Sequence, residues 1–240
     1  RRQRQMCIRD RKFTVQRIDG VDKVFDNPEP LVQNPTGYSQ MNLMQKVRFK
    51  PNKKWDFQYG FHFSETTDYS RYDRLIETQA SGLPIAAVWN YGPQAWMMNN
   101  LSVLHISSNK LYDRMKMIAA HQYFEESRID RRFNHHRLRT QLEEVQAYSL
   151  NIDFEKSANK HRFYYGAEYV HNNVKSRATA VDIRNGSPVP VPDRYPDSDW
   201  RCWAGYLNYQ FHASGKFLVQ AGARFSNFII QSDFTRHLEF

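Results

Sequence analysis

The chain has 240 residues, 40% of them hydrophobic and 15% aromatic, with a formal charge of +9. Its mean hydropathy is −0.77, and no window approaches the roughly 20 apolar residues of a membrane-crossing helix; this excludes helical insertion but not crossing by strands, whose apolar residues need only alternate. The basic residues are dispersed and no zinc-finger spacing or RNP-like motif accompanies them, so nucleic acid is set aside in favour of anionic headgroups, lipopolysaccharide phosphates or an acidic ligand.

The opening "RRQR" has no initiator Met and no apolar leader after it, so residues 1–240 are expected to be a fragment of a larger domain. Cys7 and Cys202 stand in no CxxC or Cys/His cluster and read as two unrelated thiols. A strand is expected at "KFTVQRI", ahead of the main series. "MNLMQKVRFK" then sets Leu43, Val47 and Phe49 against Lys46, Arg48 and Lys50. In "KWDFQYGFHFSET", Trp55, Phe57, Tyr59, Phe61 and Phe63 fall on every second position, with Asp56, Gln58, Gly60, His62 and Ser64 between them. A period of two marks a strand with one apolar and one wet face.

A long loop is expected from Thr66 to Ala95. In "MMNNLSVLHIS" the alternation is less clean, and Leu101 and Val103 give the better apolar face. "DRMKMIAAHQYFE" sets Met115, Met117, Ala119 and Tyr123 against Arg114, Lys116 and Gln122. A shorter loop is expected from Arg128 to Arg137. "RTQLEEVQAYSL" spaces Leu142, Val145 and Tyr148 by three, as a helix would, but the alternation of "YSLNIDFEK" directly after it favours a strand. "RFYYGAEYV" alternates Phe163, Tyr165, Ala167 and Tyr169 with Arg162, Gly166 and Glu168. After a third long loop, Asn172 to Asp199, come "WAGYLNYQFH" with Trp203, Leu207, Tyr209 and Phe211, and "KFLVQAGARFS" with Phe217, Val219, Ala221, Ala223 and Phe225.

The links "KPNKK", "SSNK", "EKSANK" and "ASGK" are short and turn-rich, and they alternate with the long loops. That is an up-and-down antiparallel meander. Next to the tight turns the apolar face carries Phe49, Trp55, Phe154, Phe163, Phe211 and Phe217; at the far ends stand Phe63, Tyr123, Tyr169 and Phe225. Smaller groups such as Ala119, Leu150, Ala167, Leu207 and Ala221 lie between. Two aromatic girdles around a plainer band fit two membrane–water interfaces. A soluble β-sandwich with an aromatic core is the competing reading, but it calls for Greek-key links and shorter strands. The fold class is therefore all-β: a partial antiparallel transmembrane β-barrel, about eight or nine strands, with short periplasmic turns and long extracellular loops.

"TGYSQMNLMQKVRFKPNKKWDFQYGFHFSETTDYSRYDRL", "YGPQAWMMNNL", "YDRMKMIAAHQYFEESRIDR" and "VPDRYPDSDW" resemble the barrel region of TonB-dependent outer-membrane receptors of Bacteroidetes-type bacteria. The resemblance runs from about Asn34 to the C-terminus. It implies a 22-stranded barrel around an N-terminal plug, placed in the outer membrane. It also implies import of ferric siderophores, haem, cobalamin or oligosaccharides, driven through the TonB–ExbB–ExbD complex. No plug or TonB-box-like segment is found, so the chain would be a mid-barrel piece, reaching that complex through a plug it lacks. The leading function is import of a metal chelate, a ferric siderophore foremost. The alternatives are a lipase-like outer-membrane enzyme and a soluble β-domain binding carbohydrate or nucleic acid.

Ligand contacts are expected in the long loops. The first offers Tyr69, Arg71, Tyr72, Arg74, Trp89, Tyr91 and Trp96, and the third Arg194 and Tyr195. Arginine beside aromatic rings can hold a planar, anionic chelate by charge-assisted bonds and stacking. Asp193, Asp197 and Asp199 could offer calcium an oxygen set, but ordinary turn chemistry suits them better. His135 and His136, beside Arg131, Arg132 and Arg137, read as a solvated basic loop touching lipopolysaccharide rather than as haem or metal ligands. Alternation puts His62 and Ser64 on one face and Glu65 on the other, poor geometry for a nucleophilic triad. No catalytic residue, metal site or cofactor is expected.

Overall fold

A computed structural model describes residues 12–30, 32 and 35–235. Two strands come first, β1 (Phe13–Ile18) and β2 (Val21–Asp26), paired only with each other. Then follow β3 (Gln40–Phe49), β4 (Trp55–Thr66), the two-residue β5 (Tyr69–Ser70) and a single helical turn, α1 (Tyr72–Leu75). The long strands are β6 (Ala86–Ile106), β7 (Arg114–Arg132), β8 (Arg137–Ala158), β9 (His161–Asp182), β10 (Asp197–Ser214) and β11 (Phe217–Asp233). They form one antiparallel sheet in the order β11-β10-β9-β8-β7-β6-β4-β3, with β5 beside β6. Among the described residues the sheet is open, and β3 and β11 are its edges.

Turn chemistry fixes one end of the meander. Asn52 accepts the amides of Lys54 and Trp55 through its side chain, and Asn109 does the same for Leu111 and Tyr112. Asn159 turns the β8–β9 link at φ 53°, a conformation asparagine tolerates better than most residues.

Register places the apolar residues of all strands on one face. Phe57 faces Val103, Val103 faces Met117, Met117 faces Ile152, and Ile152 faces Ala167. No part of the described chain covers that face: Phe225 is 63% exposed, Phe49 61% and Trp203 51%. An apolar wall of this extent in water would aggregate, so hydrocarbon is its solvent. The competing sandwich reading fails here, because a sandwich would have packed a second sheet over these rings.

The upper girdle runs obliquely to the ladder. Phe63 is level with Met97 and Met97 with Tyr123. Tyr148 is level with His121, one step below Tyr123; Tyr169 is level with Leu150, one further step down. Trp203 is level with Tyr169, and Phe225 faces Gly205, below Trp203. Strands inclined to the membrane, as in a barrel, require such a slant.

β8 and β9 have 22 residues each, whereas a tilted strand crosses the hydrocarbon in roughly 9–11. Their upper halves therefore stand outside the membrane. There the expected loops are corrected. The segment expected as a loop from Arg128 to Arg137 is strand except for 133–136, the Asn172–Asp199 loop shrinks to 183–196, and β6 already begins at Ala86. Above the girdle neither face meets lipid, so both faces are polar and the alternation that marks a strand disappears. "RTQLEEVQAYSL" lies wholly within β8, as expected. "KFTVQRI" is a strand, β1, but belongs to the separate hairpin rather than to the wall.

On the polar face the wall is tied by side chains. Arg48 pairs with Asp56, and Arg224 reaches Glu168 at 2.9 Å. Tyr206 donates to Asp153 at 2.5 Å and lies across Gly166, where a Cβ would collide with the Ile152 carbonyl oxygen and stand 2.8 Å from the tyrosine ring. Gly166→Val should displace Tyr206 and cost about 1–3 kcal/mol, the usual penalty of overpacking. Heat-modifiability of the full-length barrel on gels reads this as a lower melting temperature, and an unshifted melt would contradict the packing described.

Candidate functional site

The upper, extracellular part of the wall is where a solute first meets the protein. A bulge decides which side chains it meets. Between Tyr91 and Gln94 the register of β6 against β7 shifts, at Gly92, whose φ is +85°. Below the shift Trp96 faces Phe124 and Gln94 faces Glu126; above it Tyr91 faces Arg128 and Trp89 faces Asp130. Without the one extra residue Trp89 and Tyr91 would point to the outer side. The bulge re-aims both rings to the polar face.

β5 then brings Tyr69 opposite Tyr91, with ring centroids 6.1 Å apart, and Tyr38 lies 5.6 Å from Tyr69. Trp89 meets Tyr91 edge to face at 5.1 Å. Two guanidiniums stack on these rings: Arg71 is 4.8 Å from the Tyr91 centroid and Arg128 is 4.7 Å from it. The result is an aromatic platform carrying two cations.

The two arginines differ in what they have left to offer. Arg71 is held by Asp73 through two hydrogen bonds of 2.8 and 2.6 Å, which push the guanidinium pKa up and hold the Asp73 carboxyl below its usual range. Arg128 has Glu126 at 3.6 Å, beyond hydrogen-bond distance, and Glu143 within electrostatic reach, and among the described residues its buried Nε has no hydrogen-bond partner. Beside it Glu143 stands 3.8 Å from Arg194, whose guanidinium lies 4.7 Å from the Tyr195 ring. A carboxylate-bearing or phenolate-bearing ligand would therefore compete for Arg128 and Arg194 sooner than for Arg71.

Of the expected contact residues, Tyr69, Arg71, Trp89 and Tyr91 come together, and Arg194 with Tyr195 adjoins them through Glu143. Trp96 lies lower on the same face, bonded to Gln122 at 3.3 Å. Tyr72 and Arg74 are on α1, where Arg74 is paired with Glu77 at 3.0 Å. Sequence reasoning missed Arg128, Glu143 and Tyr38. Arg128 is the instructive case, because it was expected in a loop and register alone reveals it opposite Tyr91.

The basic loop at 131–137 requires a correction. Arg131 is not solvated but buried, with Nη1 2.6 Å and Nη2 2.9 Å from the Asp22 carboxylate. Arg17 adds a bond to Asp22 at 3.0 Å, and the amide of Asn134 donates to Asp22 at 2.7 Å. His136 bonds Arg17 at 3.1 Å. The β1–β2 hairpin is thus latched onto the tip between β7 and β8. The three aspartates of the third loop are engaged by the protein itself: Asp193 accepts the amide of Ala178 and lies 3.9 Å from Arg177, Asp197 holds Arg177, and Asp199 bonds His171. Ser64 donates to Asn42 at 2.7 Å, which leaves its hydroxyl engaged away from His62. Cys202 is a buried free thiol, while Cys7 lies outside the described residues.

A profile of the outer membrane protein beta-barrel family matches residues 98–239. No curated protein matches the chain in sequence. Among solved structures the chain is similar to the copper transporter OprC, at TM-score 0.63 and 8% identity over 82% of this chain and 29% of that one. It is similar to the unliganded ferric citrate transporter FecA, at 0.54 and 13% over 85% and 32%. It is also similar to the ferric yersiniabactin uptake receptor FyuA from Yersinia pestis, at 0.52 and 14% over 80% and 30%. The chain spans about a third of the length of each. Identities this low establish a shared fold.

Proposed function

Because the chain belongs to the outer membrane protein beta-barrel family, we propose that it is a section of the barrel wall of an import receptor in the bacterial outer membrane. The receptor captures a metal chelate, a ferric siderophore foremost with haem or cobalamin as further candidates, on its extracellular side. Uptake is energised through the TonB–ExbB–ExbD complex, by way of a plug domain outside residues 1–240.

The observation that carries this reading is the platform of Tyr69, Trp89, Tyr91, Arg71 and Arg128, turned inward by the bulge in β6 and placed above the membrane. Stacked rings hold a planar ligand, and guanidiniums with spare donors hold its acidic groups. The named solved structures add support, since they are named for copper, ferric citrate and ferric yersiniabactin. Which chelate fits is set by loops of the whole receptor together with these residues.

The test is uptake of iron-labelled chelates by iron-starved cells carrying or lacking the full-length gene. Deletion should abolish uptake of one chelate class and the wild-type gene restore it. Tyr91→Ala in the restored gene should raise the half-saturating concentration about tenfold, the effect of losing about 1.4 kcal/mol of stacking. Deletion that leaves uptake of every chelate unchanged would refute the import reading.

A further inference from the structure

We infer that the periplasmic rim of the wall is a binding surface for anionic phospholipid headgroups, those of phosphatidylglycerol and cardiolipin. Each of the four tight turns carries lysine and no arginine: Lys53 and Lys54 in the first, Lys110 in the second, Lys160 in the third and Lys216 in the fourth. The links at the opposite end, residues 67–85, 133–136 and 183–196, reverse this, with Arg71, Arg74, Arg184 and Arg194 and no lysine. Asn52, Asn109 and Asn159 already make the first three turns, so the lysines are not needed to shape them. An ammonium on a flexible stem suits phosphate as a point charge.

The five lysines are exposed and stand at the depth of headgroups. Lys54 directly precedes Trp55 and Lys216 precedes Phe217, outward rings of the lower girdle, where the hydrocarbon ends. Lys160 precedes His161, whose ring stacks on Phe211 with centroids 5.1 Å apart. The turn that holds Lys110 is folded against the same outward face. There the Tyr165 hydroxyl donates to the Leu111 carbonyl at 2.6 Å, the Tyr112 ring lies 5.5 Å from Phe154, and Leu111 is 71% exposed. From that level a lysine side chain reaches phosphate while its stem stays against the rings. A periplasmic polymer such as peptidoglycan lies beyond the headgroup layer, so depth favours lipid.

The rim's own acids do not cancel this charge. The nearest carboxylates along the strands are Asp56, Asp113, Asp153 and Glu155, and each has its own cation. Asp56 is held by Arg48, and Asp113 by Lys156 at 2.8 Å. Asp153 is level with Lys116 and Glu155 with Arg114 on the polar face. Of the lysines in or beside the four turns, only Lys156 has a carboxylate within ion-pair distance among the described residues. Lys160 reaches a neutral acceptor, the Ala213 carbonyl, at 3.2 Å. Phosphatidylethanolamine balances its phosphate with an ammonium of its own, so a net-positive collar favours the glycerol-headed lipids over it. All of this follows from the membrane placement of the wall and is independent of the cargo.

The experiment reconstitutes the full-length protein in phosphatidylcholine vesicles. Electron spin resonance of spin-labelled lipids then measures the association of phosphatidylglycerol relative to phosphatidylethanolamine. The wild type should prefer phosphatidylglycerol about fivefold at low salt, the equivalent of one lysine contact of about 1 kcal/mol. In about 1 M salt the preference should vanish. Changing Lys53, Lys54, Lys110, Lys160 and Lys216 together to Gln should bring the ratio to about one, and changing them to Arg should keep it. Lys23→Gln with Arg184→Gln, two charges removed from the extracellular end, should match wild type. A wild-type ratio of about one, or a preference that survives the change to Gln, overturns the inference. Loss of binding to isolated peptidoglycan in the Gln variant, with its lipid preference unchanged, assigns the collar to the cell wall and overturns it equally.

Discussion

Leu207→Arg in the full-length receptor should lower the stability of the inserted barrel by about 2–4 kcal/mol, the cost of an arginine on the lipid face near the bilayer midplane. Leu207 lies midway along β10 between Trp203 and Phe211, its side chain is about half exposed, and nothing in the described chain covers it. In hydrocarbon the guanidinium would find no acceptor and would have to snorkel past a girdle to reach water. Gln210→Arg, three positions away, is the control. Gln210 is on the opposite face, bonded to Gln220 at 3.3 Å, where an arginine remains hydrated. Denaturant titration of both variants in lipid vesicles measures the difference. Equal effects, or a larger loss for Gln210→Arg, would reverse the assignment of the two faces.

This contrast also explains what could be read from residues alone. Where strands cross lipid, the solvent on one face is hydrocarbon and on the other water, and the sequence must alternate. Phe154, Ile152, Leu150 and Tyr148 against Asp153, Asn151 and Ser149 show it. Higher on the same strand, Thr140, Glu144 and Gln146 face one way and Arg139, Gln141 and Glu143 the other, so both sides are polar and no period survives. The missed strand ends all lie there. The irregular stretch "MMNNLSVLHIS" has a related cause. Asn99 and His105 interrupt its outward face, Asn99 to meet Tyr59 and His105 to stack on Trp55 with centroids 3.9 Å apart.

The candidate site was half legible. Tyr69, Arg71, Trp89 and Tyr91 are conspicuous in composition, as aromatics and arginine in a polar stretch. Their convergence depends on a one-residue register shift and on β5, which no period of two announces. Arg128 and Glu143 sit in strands that look like loop. The latch at Asp22 was invisible for another reason: its partner Arg131 is 109 residues away, and a buried ion pair leaves no local pattern.

That latch carries the other large expected effect. The Asp22 side chain is wholly buried and Arg131 nearly so. Asp22→Asn keeps the shape but strands the Arg131 cation, and breaking a buried pair from one side costs about 3–5 kcal/mol. Among the described residues the β1–β2 hairpin has no third strand, and a lone hairpin is marginal in water, so its protection comes from docking. Amide exchange across residues 13–26 should accelerate by at least about a hundredfold, while β8 and β9 stay unchanged. Asp22→Leu combined with Arg131→Met removes both charges and should recover most of the protection, which separates a stranded charge from a lost contact.

The pH dependence of the same latch has a definite sign. Burial works to raise the Asp22 pKa, but hydrogen bonds from Arg131, Asn134 and Arg17 outweigh it, so the carboxyl is held below its ordinary value. A carboxylate depressed in the docked state contributes stability above the pKa it has when undocked, and loses it as pH falls through the docked value. The hairpin should therefore stay protected from neutral pH down to the ordinary aspartate range, about pH 4, and open only below it. Asp22→Asn should lack this acid transition and be open throughout. Release of the wild-type hairpin between pH 7 and 5 would mean that the Asp22 carboxyl does not govern the docking.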